Sequence, residues 1–190
     1  DVTPYKKIKV RILNGAHTSM VAGALLSGIE TVGECMADET VSAYLNRAVN
    51  EEILKTIGDN EESRDFAKSV FDRFKNPFIK HQLRSIALNS VSKFSVRVLP
   101  TILEYKKKND VYPKILSMSL AYLIYFYKND VPNDSEETVS KMKNNSIADI
   151  LADSSLWGAD ISEMLEIVTL CYGEIETLGA KGAMEWILSE

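Results

Sequence analysis

A lysine, an asparagine and a histidine lie close together near the amino terminus, in the segment Lys-Val-Arg-Ile-Leu-Asn-Gly-Ala-His of residues 9–17. These residues are Lys9, Asn14 and His17. A lysine can exchange a proton with an alcohol, while an amide and a neutral imidazole can hold the oxygen that gains charge. Lysine does this near neutral pH only if burial or a neighbouring cation lowers its pKa, and Arg11 is the candidate cation. The segment therefore predicts a proton-transfer site at an alcohol oxygen.

Helical geometry decides whether these side chains can meet. Each residue of an α-helix turns the chain by about 100°, so His17 lies about 80° and Asn14 about 140° from Lys9 around the axis. All three could therefore face one cavity. Spacing alone leaves an ordinary alternative open, in which Lys9 is solvated, Asn14 caps a helix and His17 is a structural polar residue.

The composition is that of a globular chain with a sizeable core. Of 190 residues, 45% are hydrophobic and 26% are charged, which does not favour disorder. The net charge of −5 argues against a nucleic-acid partner, because phosphate binding needs clustered cations. The sequence shows no signal peptide and no apolar run long enough for a membrane span. Cys35 and Cys171 form no zinc motif, so we expect buried thiols, a cytoplasmic location and no metal.

Helical periodicity runs through almost the whole sequence and predicts an all-α fold in one compact, multi-helix domain. No strand pair or hairpin signal interrupts it, although the pattern over residues 79–98 is ambiguous and we favour a helix with a break there. We predict a connection at residues 33–38 and a loop at residues 129–134. Predicted helices cover residues 9–28, 38–57, 61–74, 100–108, 113–127, 135–143, a short stretch from 146, 160–177 and 180–188.

Longer stretches of sequence give the first motif a context. Lys-Val-Arg-Ile-Leu-Asn-Gly-Ala-His-Thr at residues 9–18 resembles the signature at the start of the carboxy-terminal domain of the mannitol dehydrogenase family, the long-chain polyol and uronate dehydrogenases. The resemblance covers nearly the whole chain and includes Asn-Pro-Phe-Ile-Lys-His-Gln at 76–82 and Ser-Lys-Phe-Ser-Val-Arg-Val-Leu-Pro at 92–100. Within the family, the chain looks most like the uronate enzymes that interconvert tagaturonate and altronate.

The resemblance implies a two-domain oxidoreductase. An amino-terminal Rossmann domain would bind NAD, and residues 1–190 would form the helical domain that binds the sugar acid and carries most catalytic groups. By motif match, Lys9 would be the general acid or base, Asn14 and His17 would hold the reacting oxygen, and no metal would take part. No GxGxxG motif occurs and the chain begins with Asp1 rather than Met. We therefore expect the Rossmann domain to lie outside this sequence, and residues 1–190 to be inactive alone.

A uronate differs from a polyol by a carboxylate, which needs a cation, preferably an arginine. The candidates are Lys93, Arg97 and Arg84. The resemblance matches Lys93 to a lysine of the polyol enzymes. Ser85 takes the place of their arginine, and Arg84 lies one position earlier. This departure fits a substrate class other than a polyol.

Two other interpretations remain open from the sequence. One is a family member that acts on mannitol, fructuronate or another polyol. The other is a helical interaction domain without chemistry, in which Lys9, Asn14 and His17 point apart or into solvent. His81, the only other histidine, is expected to be structural.

Overall fold

The chain forms an all-α fold, as its periodicity predicts. The computed structural model describes residues 2–190, and the side chains of residues 4–190. Within that range the only β-type pairing is an isolated antiparallel bridge between Thr31 and Gln82. None of the helices in residues 2–190 combines the length and apolar character needed to cross a membrane.

The helices follow one another through short connections. The first half contains α1 (Val2–Ile8), a first π-helical segment (Lys9–Asn14), α2 (Gly15–Leu26), α3 (Val32–Ala37), α4 (Glu39–Arg47), a second π-helical segment (Ala48–Ile53), α5 (Leu54–Ile57) and α6 (Glu61–Phe74). The second half contains α7 (Leu83–Ile86), α8 (Ser90–Arg97), α9 (Leu99–Asn109), α10 (Lys114–Asn129), α11 (Glu136–Asn144), α12 (Ile147–Ala152), α13 (Ser154–Trp157), a 3₁₀ turn (Ser162–Met164) and α14 (Leu165–Ser189).

Helix α10 forms the centre of the core and packs mainly against α14 and α2. Its residues from Ile115 to Ile124 are all buried. The Tyr122 hydroxyl donates to the Ala180 carbonyl at 2.6 Å, which ties α10 to α14. On the α2 side, a Cβ at Gly23 would lie only 3.0 Å from the Tyr122 ring. Glycine at position 23 therefore allows α2, which carries His17, to lie directly against the central helix.

Short polar side chains begin several helices where the sequence predicts a start. Asp38 accepts the N–H of Val41 at 3.0 Å, Ser135 accepts that of Thr138 at 3.2 Å, and Ser146 accepts that of Asp149 at 3.1 Å. The predicted helix with a break over residues 79–98 is α7 followed by α8. The break lies at Asn89, whose φ of 53° is left-handed. The prediction for this region is thus confirmed.

Two local predictions are wrong. Residues 33–38, predicted as a connection, lie largely in α3. This helix begins because Thr31 Oγ1 accepts the Glu34 N–H at 3.1 Å, so the Thr31-x-x-Glu34 capping pattern outweighs Gly33. The helix predicted from residue 160 begins as the 3₁₀ turn, and α14 starts only at Leu165. Its predicted interruption at Gly179 is present as a residue with φ of 77° and ψ of 170°.

The second π-helical segment brings a carboxylate into the core. Glu52 is only 4% exposed, and its two oxygens accept the backbone N–H groups of Ile115 at 2.9 Å and Leu116 at 2.8 Å. Those groups belong to the first turn of α10, which has no side-chain cap of its own at Pro113. Burial raises the pKa of Glu52 to about 7, against the lowering effect of the two N–H donors. Glu52 therefore caps the central helix from a distant part of the sequence.

Candidate active site

The lysine–asparagine–histidine motif lies on one continuous helix with a wide turn in its middle. The first π-helical segment contains Lys9 and Asn14, and α2 carries His17. The Gly15 N–H bonds to the Val10 carbonyl five residues earlier, as well as to that of Ile12. In a π turn, residues five apart lie nearly above one another. Because Lys9 and Asn14 are five apart, the wide turn aligns them better than the angle of about 140° that an α-helix would give.

Gly15 lets this helix lie against α8, which carries Lys93 and Arg97. A Cβ on Gly15 would be 3.3 Å from the Arg97 carbonyl oxygen and 3.8 Å from Cδ1 of Ile53. A Cβ here would be a tighter contact than usual, so the backbone of α8 at Arg97 would have to yield to any side chain at this position. The glycine between Asn14 and His17 therefore sets the distance between the motif and the basic residues of α8.

We expect Gly15→Val to lower the free energy of unfolding by about 1–3 kcal/mol, because the added side chain overpacks the contact with Arg97. In the full-length enzyme it should also lower kcat/KM at least about tenfold, since a displaced α8 misplaces polar groups around the substrate. Thermal unfolding and steady-state kinetics measure the two effects. Gly173→Ala is the matched control, because a Cβ there meets nothing within 4 Å. Wild-type kinetics for Gly15→Val would contradict this role of Gly15.

His17 is a neutral, oriented imidazole. Its ring stacks on Phe74, with centroids 4.4 Å apart and an interplanar angle of 24°. Burial, followed by the positive charges of His81, Arg97 and Arg73, lowers the pKa of His17 to about 4. The buried Nε2 atom has no hydrogen-bond partner within residues 2–190. An uncharged ring with an unpaired nitrogen is suited to a hydrogen bond with an incoming polar group.

A surface cleft opens beside this imidazole. Its volume is about 430 Å³, which suits a small ligand. The rings of His17 and His81 both line it and form a tilted pair, with centroids 6.0 Å apart. Residues from α2, from α7 and from the segment between α6 and α7 form its walls, namely His17, Lys80, His81, Gln82, Ser85 and Ile86.

Of the three predicted substrate-binding cations, Lys93 and Arg97 belong to this region. The ammonium of Lys93 donates to the carbonyl of Ile86, a residue of the cleft wall, at 3.0 Å. Burial lowers the pKa of Lys93, and the charge of Arg97 adds to this effect. Arg97 also contributes to the lowered pKa of His17, so its charge acts on both Lys93 and His17, although neither Arg97 nor Lys93 lines the cleft.

Arg84 lies elsewhere. Its guanidinium donates to both carboxylate oxygens of Asp130, at 3.1 and 3.4 Å, and lies 5.6 Å from the centroid of the Phe126 ring. It lines a separate pocket of about 390 Å³ beside Gly28 and Ile29. The structure thus does not bring Arg84 together with His17, Lys93 and Arg97.

Arg11 is also engaged away from Lys9. It forms two hydrogen bonds with the carboxylate of Glu104, at 3.0 and 3.1 Å, and one with Thr101 at 3.1 Å. This places the Arg11 guanidinium on α9, whereas the sequence suggested it as a charge acting on Lys9. Lys9 itself is exposed, and Asn14 is half-buried.

Sequence reasoning missed three residues of this region. Phe74 is the last residue of a predicted helix and received no role in the site, although its ring stacks on that of His17. Lys80 received no role, and His81 was expected to be structural, although both line the cleft. The nearby Asn76-Pro77 turn was an available signal, because turn residues next to a helix end commonly place side chains at a surface cleft. No group of three His, Cys, Asp or Glu residues in the described range could hold a metal ion.

The fold and the site define a domain of a known enzyme family. The chain belongs to the mannitol dehydrogenase family, since the family's carboxy-terminal domain matches residues 1–178. The chain is 37% identical to altronate oxidoreductase of Escherichia coli O7:K1 over 205 residues, covering 97% of this chain and 42% of that protein. It is 35% identical to altronate oxidoreductase of Yersinia pestis, covering 96% of this chain and 42% of that protein. The chain therefore spans about 42% of the length of these relatives.

Solved structures agree on the fold. Mannitol 2-dehydrogenase of Pseudomonas fluorescens, in a ternary complex with NAD and D-mannitol, superposes with a TM-score of 0.88 at 24% identity. The match covers 100% of this chain and 42% of that one. A substrate-free D-sorbitol dehydrogenase superposes with a TM-score of 0.82 at 22% identity, covering 97% of this chain and 41% of that one. The predicted all-α domain of this family is thus confirmed.

Proposed function

We propose that this chain is the substrate-binding and catalytic domain of an NAD-dependent uronate oxidoreductase that interconverts tagaturonate and altronate. The observation that carries the proposal is the cleft beside His17, which this uncharged imidazole lines together with Lys80 and His81 and with no acidic residue. A sugar acid offers both a reacting oxygen for the imidazole and a carboxylate for the cations. The similarity of 35–37% to altronate oxidoreductases supports the same substrate class.

In the direction of reduction, the carbonyl oxygen of the keto-uronate gains negative charge as its carbon accepts a hydride. Bound NADH supplies that hydride. His17 donates a hydrogen bond from Nε2, and the amide of Asn14 donates a second, so both stabilise the developing alkoxide. In the full-length enzyme we expect the substrate and the second domain to cover the exposed Lys9. Its ammonium then transfers a proton to this oxygen, and in the reverse direction the neutral amine removes it. Lys93 and Arg97 contribute positive charge around the bound sugar acid.

The described residues are better suited to bind the substrate of such an enzyme than to bind its cofactor. His17 offers an unpaired nitrogen to an oxygen, but no strand–turn–helix unit that could hold a pyrophosphate is formed within residues 2–190. We therefore place NAD mainly on an amino-terminal Rossmann domain outside this sequence. That domain would also be the chain's intramolecular partner. We place the enzyme in the cytoplasm, where reducing conditions keep Cys35 and Cys171 as thiols.

Substrate profiling of the full-length enzyme tests this function. We expect NADH-dependent reduction of tagaturonate with a kcat/KM at least about 100-fold above that for fructose, because only the uronate offers a carboxylate to the basic cleft. Fructuronate serves as the comparison that keeps the carboxylate and changes the sugar. A preference for fructose would identify a polyol enzyme instead. The 190-residue chain alone should show no appreciable turnover, and robust NADH oxidation by it would contradict the assignment of the cofactor to another domain.

A further inference from the structure

The cleft is basic although the chain as a whole carries a net charge of −5. None of its six lining residues is acidic, and two of them are Lys80 and His81. The positive charges of Arg73 and Arg97 also act on the imidazole of His17 and contribute to its lowered pKa. A local excess of positive charge in an acidic protein favours an anionic ligand. A neutral polyol would gain nothing from it.

Two cations near this site already have a partner, and Arg73 and Arg97 do not line the cleft. Arg84 is paired with Asp130, and Lys93 uses one of its three N–H donors on the Ile86 carbonyl. Lys80 forms no ion pair with any residue of the described range, and its side chain is exposed at the cleft. It therefore keeps its charge and all its donors available for a ligand.

The backbone that carries Lys80 is fixed on both sides. Before it, the side chain of Asn76 accepts the Phe78 N–H at 3.0 Å and the Asn76 carbonyl accepts the Ile79 N–H at 3.2 Å. After it, the carbonyl of His81 accepts the Val32 N–H at 3.0 Å. Lys80 thus extends from a pinned segment, which lowers the entropy cost of presenting its ammonium to a ligand.

We infer that Lys80 is the cation that binds the substrate carboxylate, at the far side of the cleft from the oxygen held by His17. This inference rests on the proposed function, because it assigns the carboxylate of the same sugar acid. Ser85 lines the same cleft, and its small side chain takes up little of the volume of about 430 Å³. The arrangement separates the anion from the reacting carbon, which lets Lys80 determine specificity without entering the chemistry.

The test is Lys80→Gln in the full-length enzyme. We expect the KM for tagaturonate to rise at least about tenfold, since a charge-assisted hydrogen bond is lost. Because Lys80 does not touch the reacting atoms, kcat should change by less than about threefold and the KM for NADH should stay the same. Lys80→Arg should retain most of the affinity. Lys107→Gln, which removes an exposed lysine on α9, is the matched control and should behave as wild type.

The possible results separate this inference from the proposed function. An unchanged KM for tagaturonate in Lys80→Gln would overturn the inference, and so would a rise in the KM for NADH alone, which would assign Lys80 to a phosphate of the dinucleotide. Calorimetric titration with tagaturonate measures binding without turnover. If the wild-type enzyme binds tagaturonate without reducing it and Lys80→Gln loses that binding, Lys80 keeps its role and the proposed reaction fails. If the wild type does not bind tagaturonate, both fail.

Discussion

Replacing Lys9 with alanine in the full-length enzyme should lower kcat for tagaturonate reduction by about 10²–10⁴-fold, the usual range for loss of a positioned general acid. The side chain is exposed in this domain, so its removal leaves no cavity in the core. We therefore expect an unchanged circular dichroism spectrum and melting temperature together with the loss of turnover. Steady-state kinetics with saturating NADH measures the effect.

Lys7→Ala is the control for this experiment. Lys7 is an exposed lysine two residues earlier on α1, so its removal changes the charge of the same region without touching the motif. Its kcat should stay within about twofold of wild type. A decrease of less than about tenfold for Lys9→Ala would remove Lys9 from the acid–base role. A comparable loss in Lys7→Ala would indicate that charge alone matters.

Glu52→Gln should produce the largest loss of stability among polar substitutions in this chain. Glutamine keeps the shape of the side chain but can accept only one of the two N–H groups of α10, and its own N–H₂ then faces the other donor. We expect the free energy of unfolding to fall by about 1–3 kcal/mol at pH 5, the cost of a buried group left without a partner. Denaturant unfolding of the 190-residue chain, followed by the fluorescence of buried Trp157, measures it.

The loss should depend on pH in a defined direction. In the fold the pKa of Glu52 is about 7, above its ordinary value of 4.5. The native state therefore holds the proton more tightly, and the stability from Glu52 is complete below pH 4.5 and decreases as the pH rises through about 7. The difference between wild type and Glu52→Gln should thus shrink between pH 5 and pH 8. The difference between the two curves of stability against pH also cancels the contribution of His17. That contribution has the opposite sign because the fold lowers the pKa of His17.

Two outcomes would contradict this account of Glu52. Wild-type stability in Glu52→Gln would show that the two N–H groups of α10 do not need two acceptor oxygens at this position. A difference that grows with pH would show that the ionised form is the stabilising one. Glu51→Gln, which changes an exposed carboxylate one position earlier in the same segment, should leave stability within about 0.5 kcal/mol of wild type.

The fold class could be predicted from the sequence because helical periodicity and short polar caps act locally. Ser135 and Ser146 cap helices where their positions predict it. Errors arose where two local signals compete, as Gly33 and the Thr31-x-x-Glu34 pattern do at α3. The capping role of Glu52 could not be predicted from the sequence, because it joins groups that are 63 and 64 positions apart in the chain.

The candidate site also has features that the sequence could predict and features that it could not. The spacing of Lys9, Asn14 and His17 is a pattern within one segment, so the sequence could identify it as a candidate. The role that we propose for Lys80 depends on a cleft that forms only where α2 meets the stretch of residues 80–86. The ion pair between Arg84 and Asp130 also joins distant parts of the sequence. The sequence alone therefore could not show that Arg84 is engaged in an ion pair and that Lys80 is not.

The wide turn between α1 and α2 has a consequence for the register of the whole first helix. Relative to an uninterrupted α-helix, a π turn uses one extra residue, so everything before it is rotated by about 100° around the axis. The residues of α1 that point in a given direction are therefore shifted by one position from those that an uninterrupted α-helix would present there. Deleting one of residues 10–13 would close the wide turn and leave Lys9 and Asn14 four residues apart, about 40° from each other on one face of a regular α-helix.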